Sequence, residues 1–256
     1  MTTTEIRSLP VKELYSRWGT SYDQGRVNNM QGLDDTEMET LLPKFLSWLQ
    51  QSNDASASTL KVVDFGCGTG RNTLKLVATL PGAEIVGLDA TPALLEVAER
   101  RCNEVRAAMS DDKKPKSLSF VMYNPLEDDK GRPPPIAAQA QGLISNLVVE
   151  HLPLSAFFQM CNEIIAPGGC VLVTNTHEDL ARIAHGSIVD PQSGEKLWSD
   201  SHIHTNEAVK SEGAKWGFEL VELQEGIPKD PNMVGAMRGH WDGVKCWVGF
   251  LLVKQK

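Results

Sequence analysis

Between Leu60 and Thr176 the chain alternates short β-branched apolar runs with longer stretches whose apolar residues recur every three or four positions. That alternation predicts a parallel sheet built from βαβ units. Leu60 to Phe65 reads as a first strand, closed by glycines. Asn72 to Leu80 reads as the following helix, stopped by Pro81-Gly82. Ala83 to Asp89 is a second strand. Thr91 and Pro92 then open a helix, a capping residue followed by proline where its missing N–H costs nothing. Leu94, Ala98, Cys102, Val105 and Met109 give that helix one apolar stripe. Ser117 to Tyr123, Gly142 to Asn146 and Cys170 to Thr174 supply three more strands.

The ends carry other patterns. Residues 10 to 52 look helical, with Leu14 and Trp18 four apart and a second stripe of Leu41, Phe45, Trp48 and Leu49. A polar stretch with glycine and histidine runs from Thr176 to about Thr205, and a helix is predicted over Asn206 to Trp216. Phe218 to Leu223 and Lys245 to Val253 read as strands with no crossover helix between them, so they are expected to pair antiparallel. Asp111 to Lys116 is a solvated loop, and Glu127 to Pro135 an extended surface connector. The expected organisation is one domain over 1–256: a helical cap to residue 55, a ligand-binding half over 56–176 and a substrate-side half beyond.

Composition narrows the class. With 256 residues, 41% hydrophobic and 23% charged, the chain is that of a soluble globular protein. No apolar run reaches membrane-spanning length, and the N-terminus shows no apolar run behind a basic patch, so neither a membrane span nor a secretory signal is expected. The net charge of −8 argues against sequence-independent binding of nucleic acid. Five cysteines show neither Cys-x-x-Cys nor zinc-type spacing, so a reduced, cytoplasmic, metal-free protein is the expectation. The oligomeric state is left open.

The chemistry concentrates in Asp64-Phe65-Gly66-Cys67-Gly68-Thr69-Gly70-Arg71-Asn72, a glycine-rich turn between the first strand and its helix. Open α/β sheets bind ligands there, and glycines let backbone amides approach them. Alone, the motif is also compatible with a tight turn that holds nothing. Asp89 closes the second strand 21 residues after Gly68, where a carboxylate can accept both hydroxyls of a ribose. A dinucleotide site wants Gly-x-Gly-x-x-Gly, but Arg71 stands at the third glycine position, and Asp64 would repel a pyrophosphate. A ligand bearing an ammonium and a sulfonium suits that carboxylate better, which favours S-adenosylmethionine over NAD.

The segment Asp64 to Gly70 with Asp89 resembles the cofactor signature of class I S-adenosylmethionine-dependent methyltransferases. Gly142 to Leu152 resembles the fourth-strand motif of the ubiquinone/menaquinone-type branch, and Ile164 to Val173, with Pro167-Gly168-Gly169, the motif before the fifth strand. Ser201 to Phe218 is similar to the tail of the Williams–Beuren-region group of that branch. The resemblance implies a Rossmann-like, doubly wound α/β sheet of seven strands, mostly parallel with an antiparallel last strand. It implies S-adenosylmethionine as cofactor, S-adenosylhomocysteine as product and a small-molecule substrate. Gly66, Cys67, Gly68 and Gly70 would lie against the methionine part, Asp64 would face its ammonium through water, Asp89 would hold the ribose hydroxyls, and Asn72 is a further cofactor-binding candidate. Ala90 would pack on the adenine, Asn124, standing where the family often has Asp, would bond the adenine amino group with Pro125 beside it, and Asn146 and Leu147 would present backbone near the methyl. Tyr15, Trp18 and Tyr22 resemble an N-terminal segment that closes over the cofactor. The fourth strand lacks Asn-Pro-Pro-Tyr/Phe, which argues against methylation of a base or a glutamine amide by that route.

Methyl transfer from a sulfonium needs alignment first, and a base only where the nucleophile must lose a proton. His151, just past the fourth strand, and His204, in the expected substrate-side segment, are the candidates. Each also has an ordinary reading as a loop or hydrogen-bonding histidine, the preferred one for His185 and His202. Trp198 and Trp241 could stack a flat substrate or simply pack. The expected activity is methylation of an oxygen, nitrogen or carbon nucleophile. The alternatives are a non-methylating reaction such as cyclisation on the same fold, or a silent methyltransferase-like partner subunit.

Overall fold

The computed structural model describes residues 7–18, 29–52, 59–127, 131–183, 187–189, 193–228 and 243–256. Its centre is a seven-stranded sheet of β2 (Lys61–Phe65), β3 (Glu84–Asp89), β4 (Ser117–Met122), β5 (Ala140–Asn146), β6 (Ile165–Thr176), β9 (Phe218–Gly226) and β10 (Trp247–Lys254). The order across the sheet is β4-β3-β2-β5-β6-β10-β9. Five strands run parallel, and β10 is antiparallel to both β6 and β9. The chain builds outward from β2 through β3 to β4, then returns to the other side of β2 as β5. The carboxyl ends of β2 and β5 therefore flank a topological switch point, where open α/β sheets take ligands.

Strand periodicity sorts the core into two faces. Val63, Leu143, Val173 and Phe250 point to one side, among Phe157, Phe158 and Cys161 of α5 (Leu154–Ile164). Val62, Ile144, Leu172 and Leu251 point to the other, among Leu41, Phe45 and Leu49 of α2 (Asn29–Ser52) and Leu76 and Val77 of α3 (Arg71–Thr79). Each large apolar side chain buried this fully contributes about 1.5–3 kcal/mol. A β-carbon on Gly142 would meet Phe45 at 2.7 Å, and one on Gly249 would meet Leu41 at 2.5 Å. These two sheet glycines let α2 settle close over β5 and β10, which fixes where its N-terminal half lies.

The predicted strands and helices of the central sheet appear with ends moved by a few residues. In α4 (Pro92–Ala108), Leu94, Ala98 and Cys102 are buried as the stripe requires, but Val105 is 41% exposed and lies beyond the buried face. The polar stretch after Thr176 is structured where it is described. It holds α6 (Glu178–Ile183), β7 (Ser187–Val189) and β8 (Lys196–Trp198), followed by α7 (Asn206–Lys215). Strands β7 and β8 form an antiparallel hairpin, and β8 pairs in parallel with β1 (Arg7–Ser8) at the front of the chain. Leu9, Leu14 and Leu197 close a small core between this sheet and α1 (Val11–Trp18). The sequence pattern missed this sheet because strands of two or three residues carry no readable periodicity.

Candidate active site

The glycine loop folds as its sequence demands. Gly66, Gly68 and Gly70 have φ of 71°, 55° and 84°. A β-carbon on Gly66 would sit 2.2 Å from a methyl of Val148. The loop is held to the next strand, with the amides of Gly66 and Cys67 donating to the Leu88 carbonyl at 2.7 and 3.0 Å. Asp89 takes the Gly68 amide on one carboxylate oxygen and the Thr91 amide on the other, both at 2.8 Å. The Thr91 side chain and the Ala90 amide also bond to it. Burial raises the Asp89 carboxyl, against the lowering effect of those amides.

Two cavities meet at this loop. The larger, of about 310 Å³, is bounded by α1, the glycine loop and the segments following β3, β4 and β5. Tyr15, Gly66, Gly68, Asp89, Ala90, Asn124, Pro125, Asn146, Leu147 and His151 all line it. A smaller one, of about 40 Å³, lies between the loop, α2 and α3, and is lined by Asp64, Cys67, Thr69, Arg71, Asn72 and Gln31. Gly66, Gly68, Asn146 and Leu147 belong to both walls.

The small cavity is rich in acceptors. Asn72 Oδ1, Asn146 Oδ1 and Thr69 Oγ1 are buried without a hydrogen-bond partner. Asp64 is only 2% exposed, and burial pushes its carboxyl up to about 7, although Thr73 donates to it at 2.5 Å and the Arg71 cation acts in the other direction. Arg71 lines the same space, but its two terminal nitrogens are taken at 2.6 Å by Asp34 and Asp35. Two carboxylates thus pair the Arg71 guanidinium, Lys75 also reaches Asp35, and Arg101 donates to the Thr69 carbonyl at 3.1 Å. An unpaired buried acceptor costs about 1–3 kcal/mol, so a site built from several of them fits a ligand with several donors.

Leu147 adopts φ of 56° directly after β5, a conformation unusual for a branched side chain. Its amide donates to the Thr174 carbonyl at 3.0 Å. Asn124 reaches the large cavity, but its side-chain oxygen accepts the Leu126 amide at 3.0 Å, a local turn that occupies part of its bonding capacity. Cys67 is buried against Leu95 and Ala98, and burial holds its thiol well above the usual range, so it stays protonated.

The two candidate histidines separate. His151 lines the large cavity, with Nε2 3.1 Å from the Tyr15 hydroxyl and the rings edge to face at 5.6 Å. Burial lowers its pKa, so the imidazole is neutral near pH 7, with Nδ1 buried and without a hydrogen-bond partner. His204 is buried elsewhere: its Nε2 donates to the carbonyls of Val149 and Leu152 at 3.1 and 2.9 Å, and its ring stacks on His202. Both partners are acceptors, so Nε2 must carry the proton and has none to take up. The structure thus gives His204 the task of closing the turn that carries His151, and it is absent from both cavity walls. Trp198 lies in β8, also off both walls. Tyr22, His185 and Trp241 lie outside the described residues, as does the side chain of Trp18.

Sequence reasoning missed Asp34. It is fully buried in α2 and accepts from Arg71 Nη2 and Thr174 Oγ1 at 2.6 Å and from Trp247 Nε1 at 2.8 Å. Its signal was faint: an acidic pair in a helix otherwise read only for its apolar stripe.

A methyltransferase-domain family profile matches residues 63–171. An uncharacterized methyltransferase of Emericella nidulans is 38% identical over 95% of this chain and 91% of its own length. A trans-aconitate 2-methyltransferase of Methylobacterium nodulans is 32% identical over 62% of this chain and 56% of its own length. Among solved structures, the magnesium protoporphyrin IX methyltransferase of Synechocystis PCC 6803, with S-adenosylhomocysteine bound, superposes with a TM-score of 0.62 at 14% identity, over 96% of this chain and 98% of that one. The near-full-length relative and the shared fold place this chain in the class I S-adenosylmethionine-dependent methyltransferases.

Proposed function

We propose that the protein methylates a small molecule at an oxygen, nitrogen or carbon nucleophile held beside His151. The observation that carries this reading is that the two cavities lie against the same glycine loop and share Gly66, Gly68, Asn146 and Leu147 as wall residues. The smaller is an acceptor-lined niche suited to an α-ammonium, and the larger holds the pinned carboxylate of Asp89 and opens on a neutral histidine. When bound, S-adenosylmethionine supplies a methyl group on a sulfonium with a neutral leaving group. Asn72, Asn146 and Asp64 would receive the three N–H bonds of its ammonium. Asp89, on the wall of the large cavity, would hold the ribose hydroxyls. Ala90, Pro125 and Leu94 would pack on the adenine, with Asn124 at its edge. Leu147 and the glycine loop would bring backbone against the sulfur side, and Tyr15 on α1 would cover the reacting end. His151 would take a proton from a hydroxyl or acidic carbon, with Tyr15 fixing the ring. His204 supports that histidine by bonding to its turn.

The residue roles have a direct test. Calorimetry should show S-adenosylhomocysteine binding and NAD not binding, because Arg71 stands at the third glycine position of a dinucleotide-type loop. Incubation with methyl-labelled cofactor and a cell extract, read by mass spectrometry, should then label a small molecule. Cofactor binding with no labelled product in any extract would refute the methylation reading.

A further inference from the structure

We infer that Asp34, on a helix outside the loop and strand motifs, is the positioning residue that turns the Asn146 carbonyl oxygen toward the cofactor. The inference rests on the cofactor reading above and adds to it a residue that makes no ligand contact of its own.

An asparagine amide can sit in either of two orientations, and only its neighbours decide which end faces a ligand. Asn146 Nδ2 lies 3.4 Å from both carboxylate oxygens of Asp34 and 3.1 Å from Thr174 Oγ1. Asp34 can only accept, because Arg71, Thr174 and Trp247 all donate to it. The Thr174 hydroxyl spends its proton on Asp34 at 2.6 Å, so it too can only accept from Asn146. Every group on that side demands a donor, and the NH₂ end must face it. The oxygen is thereby forced to the other side, where it is buried and unpartnered in a residue only 9% exposed that lines both cavities. Reversing the amide would set its oxygen against a carboxylate and turn two N–H donors toward the ammonium. Asp34 thus sets the sign of the dipole offered to the ligand. The glycines at 142 and 249 that seat α2 on the sheet bring it into reach.

The test is calorimetry of Asp34→Asn, Asn146→Leu and the double variant with two ligands. S-adenosylhomocysteine carries the ammonium, whereas 5′-methylthioadenosine keeps the adenine, ribose and sulfur and lacks the amino-acid part. Either single change should weaken S-adenosylhomocysteine by roughly 10- to 100-fold and leave 5′-methylthioadenosine within about threefold. The double variant should be no weaker than Asn146→Leu, because one residue acts through the other. Unchanged S-adenosylhomocysteine affinity in Asp34→Asn, additive losses, or equal loss of both ligands would each overturn the proposal. Should Asp34→Asn fail to fold, hydrogen exchange of the Asn146 side-chain amide in the wild-type protein decides. Slow exchange with and without S-adenosylhomocysteine supports it, and protection acquired only on binding overturns it. Wild-type protein that binds neither ligand would remove the cofactor reading itself, and the proposal with it.

Discussion

With Asp64 beside the ammonium, as proposed, cofactor binding should be a proton-linked event. Burial pushes its carboxyl to about 7, so the free protein carries it largely protonated in mild acid. An ammonium beside it favours the carboxylate and should return it toward the ordinary range near 4. At about pH 6 the free protein then holds roughly 0.9 proton on this group and the complex almost none, whereas at about pH 8 the difference falls to roughly 0.1. Binding S-adenosylhomocysteine should therefore release close to one proton at the lower pH, and affinity should rise about tenfold between the two. For stability the sign is that of a raised carboxyl: its contribution is full below the unfolded value and is lost as pH rises through about 7. The free protein should lose stability over that window, and the complex should not. Calorimetry in buffers of different ionisation enthalpy measures the release, with Asp64→Asn as control. No release at about pH 6, or the same release from Asp64→Asn, would refute the argument.

Gly68→Val should abolish S-adenosylhomocysteine binding, because it forces a branched residue into φ of 55° on the wall shared by both cavities; circular dichroism should stay native. Asp89→Ala should weaken the same ligand by roughly 10- to 150-fold by calorimetry, the loss of a charge-assisted hydrogen bond. Gln139→Gly should raise stability by about 0.5–1 kcal/mol in urea titration, since the exposed Gln139 sits at φ of 59° in the turn before β5. His151→Ala should lower single-turnover rates by about 10²- to 10⁴-fold on a proton-bearing nucleophile, and the acid limb of the wild-type profile should lie below the ordinary histidine range, because burial lowers that pKa.

What could be read from sequence was what repeats locally. The short β-branched run Val62-Val63-Asp64-Phe65, buried throughout, and the stripe through Leu94, Ala98 and Cys102 report burial directly, so the central sheet and α4 were legible. The glycine loop was legible because positive φ leaves few residue choices. His151 and His204 looked alike, since each is a lone histidine beside a predicted element, and only tertiary placement shows one facing a cavity and the other two carbonyls. Asp34 was illegible for the same reason in stronger form. Its partners Arg71, Asn146, Thr174 and Trp247 lie 37 to 213 residues away, and no window along the chain contains them together.

Those long-range contacts explain how one cavity comes to be walled by elements from every part of the chain. The front segment is tied down twice: β1 pairs with β8 from the region after β6, and Tyr15 on α1 meets His151 after β5. A third link, the ion pair between Lys12 and Glu127 at 3.1 Å, joins α1 to the loop after β4 across the cavity mouth. Its partners are about half exposed, so it contributes little energy and can open readily. The Tyr15–His151 contact is the more buried of the two. Both contacts hold α1 at the cavity mouth, so the helix that borders the large cavity also bonds the ring of His151.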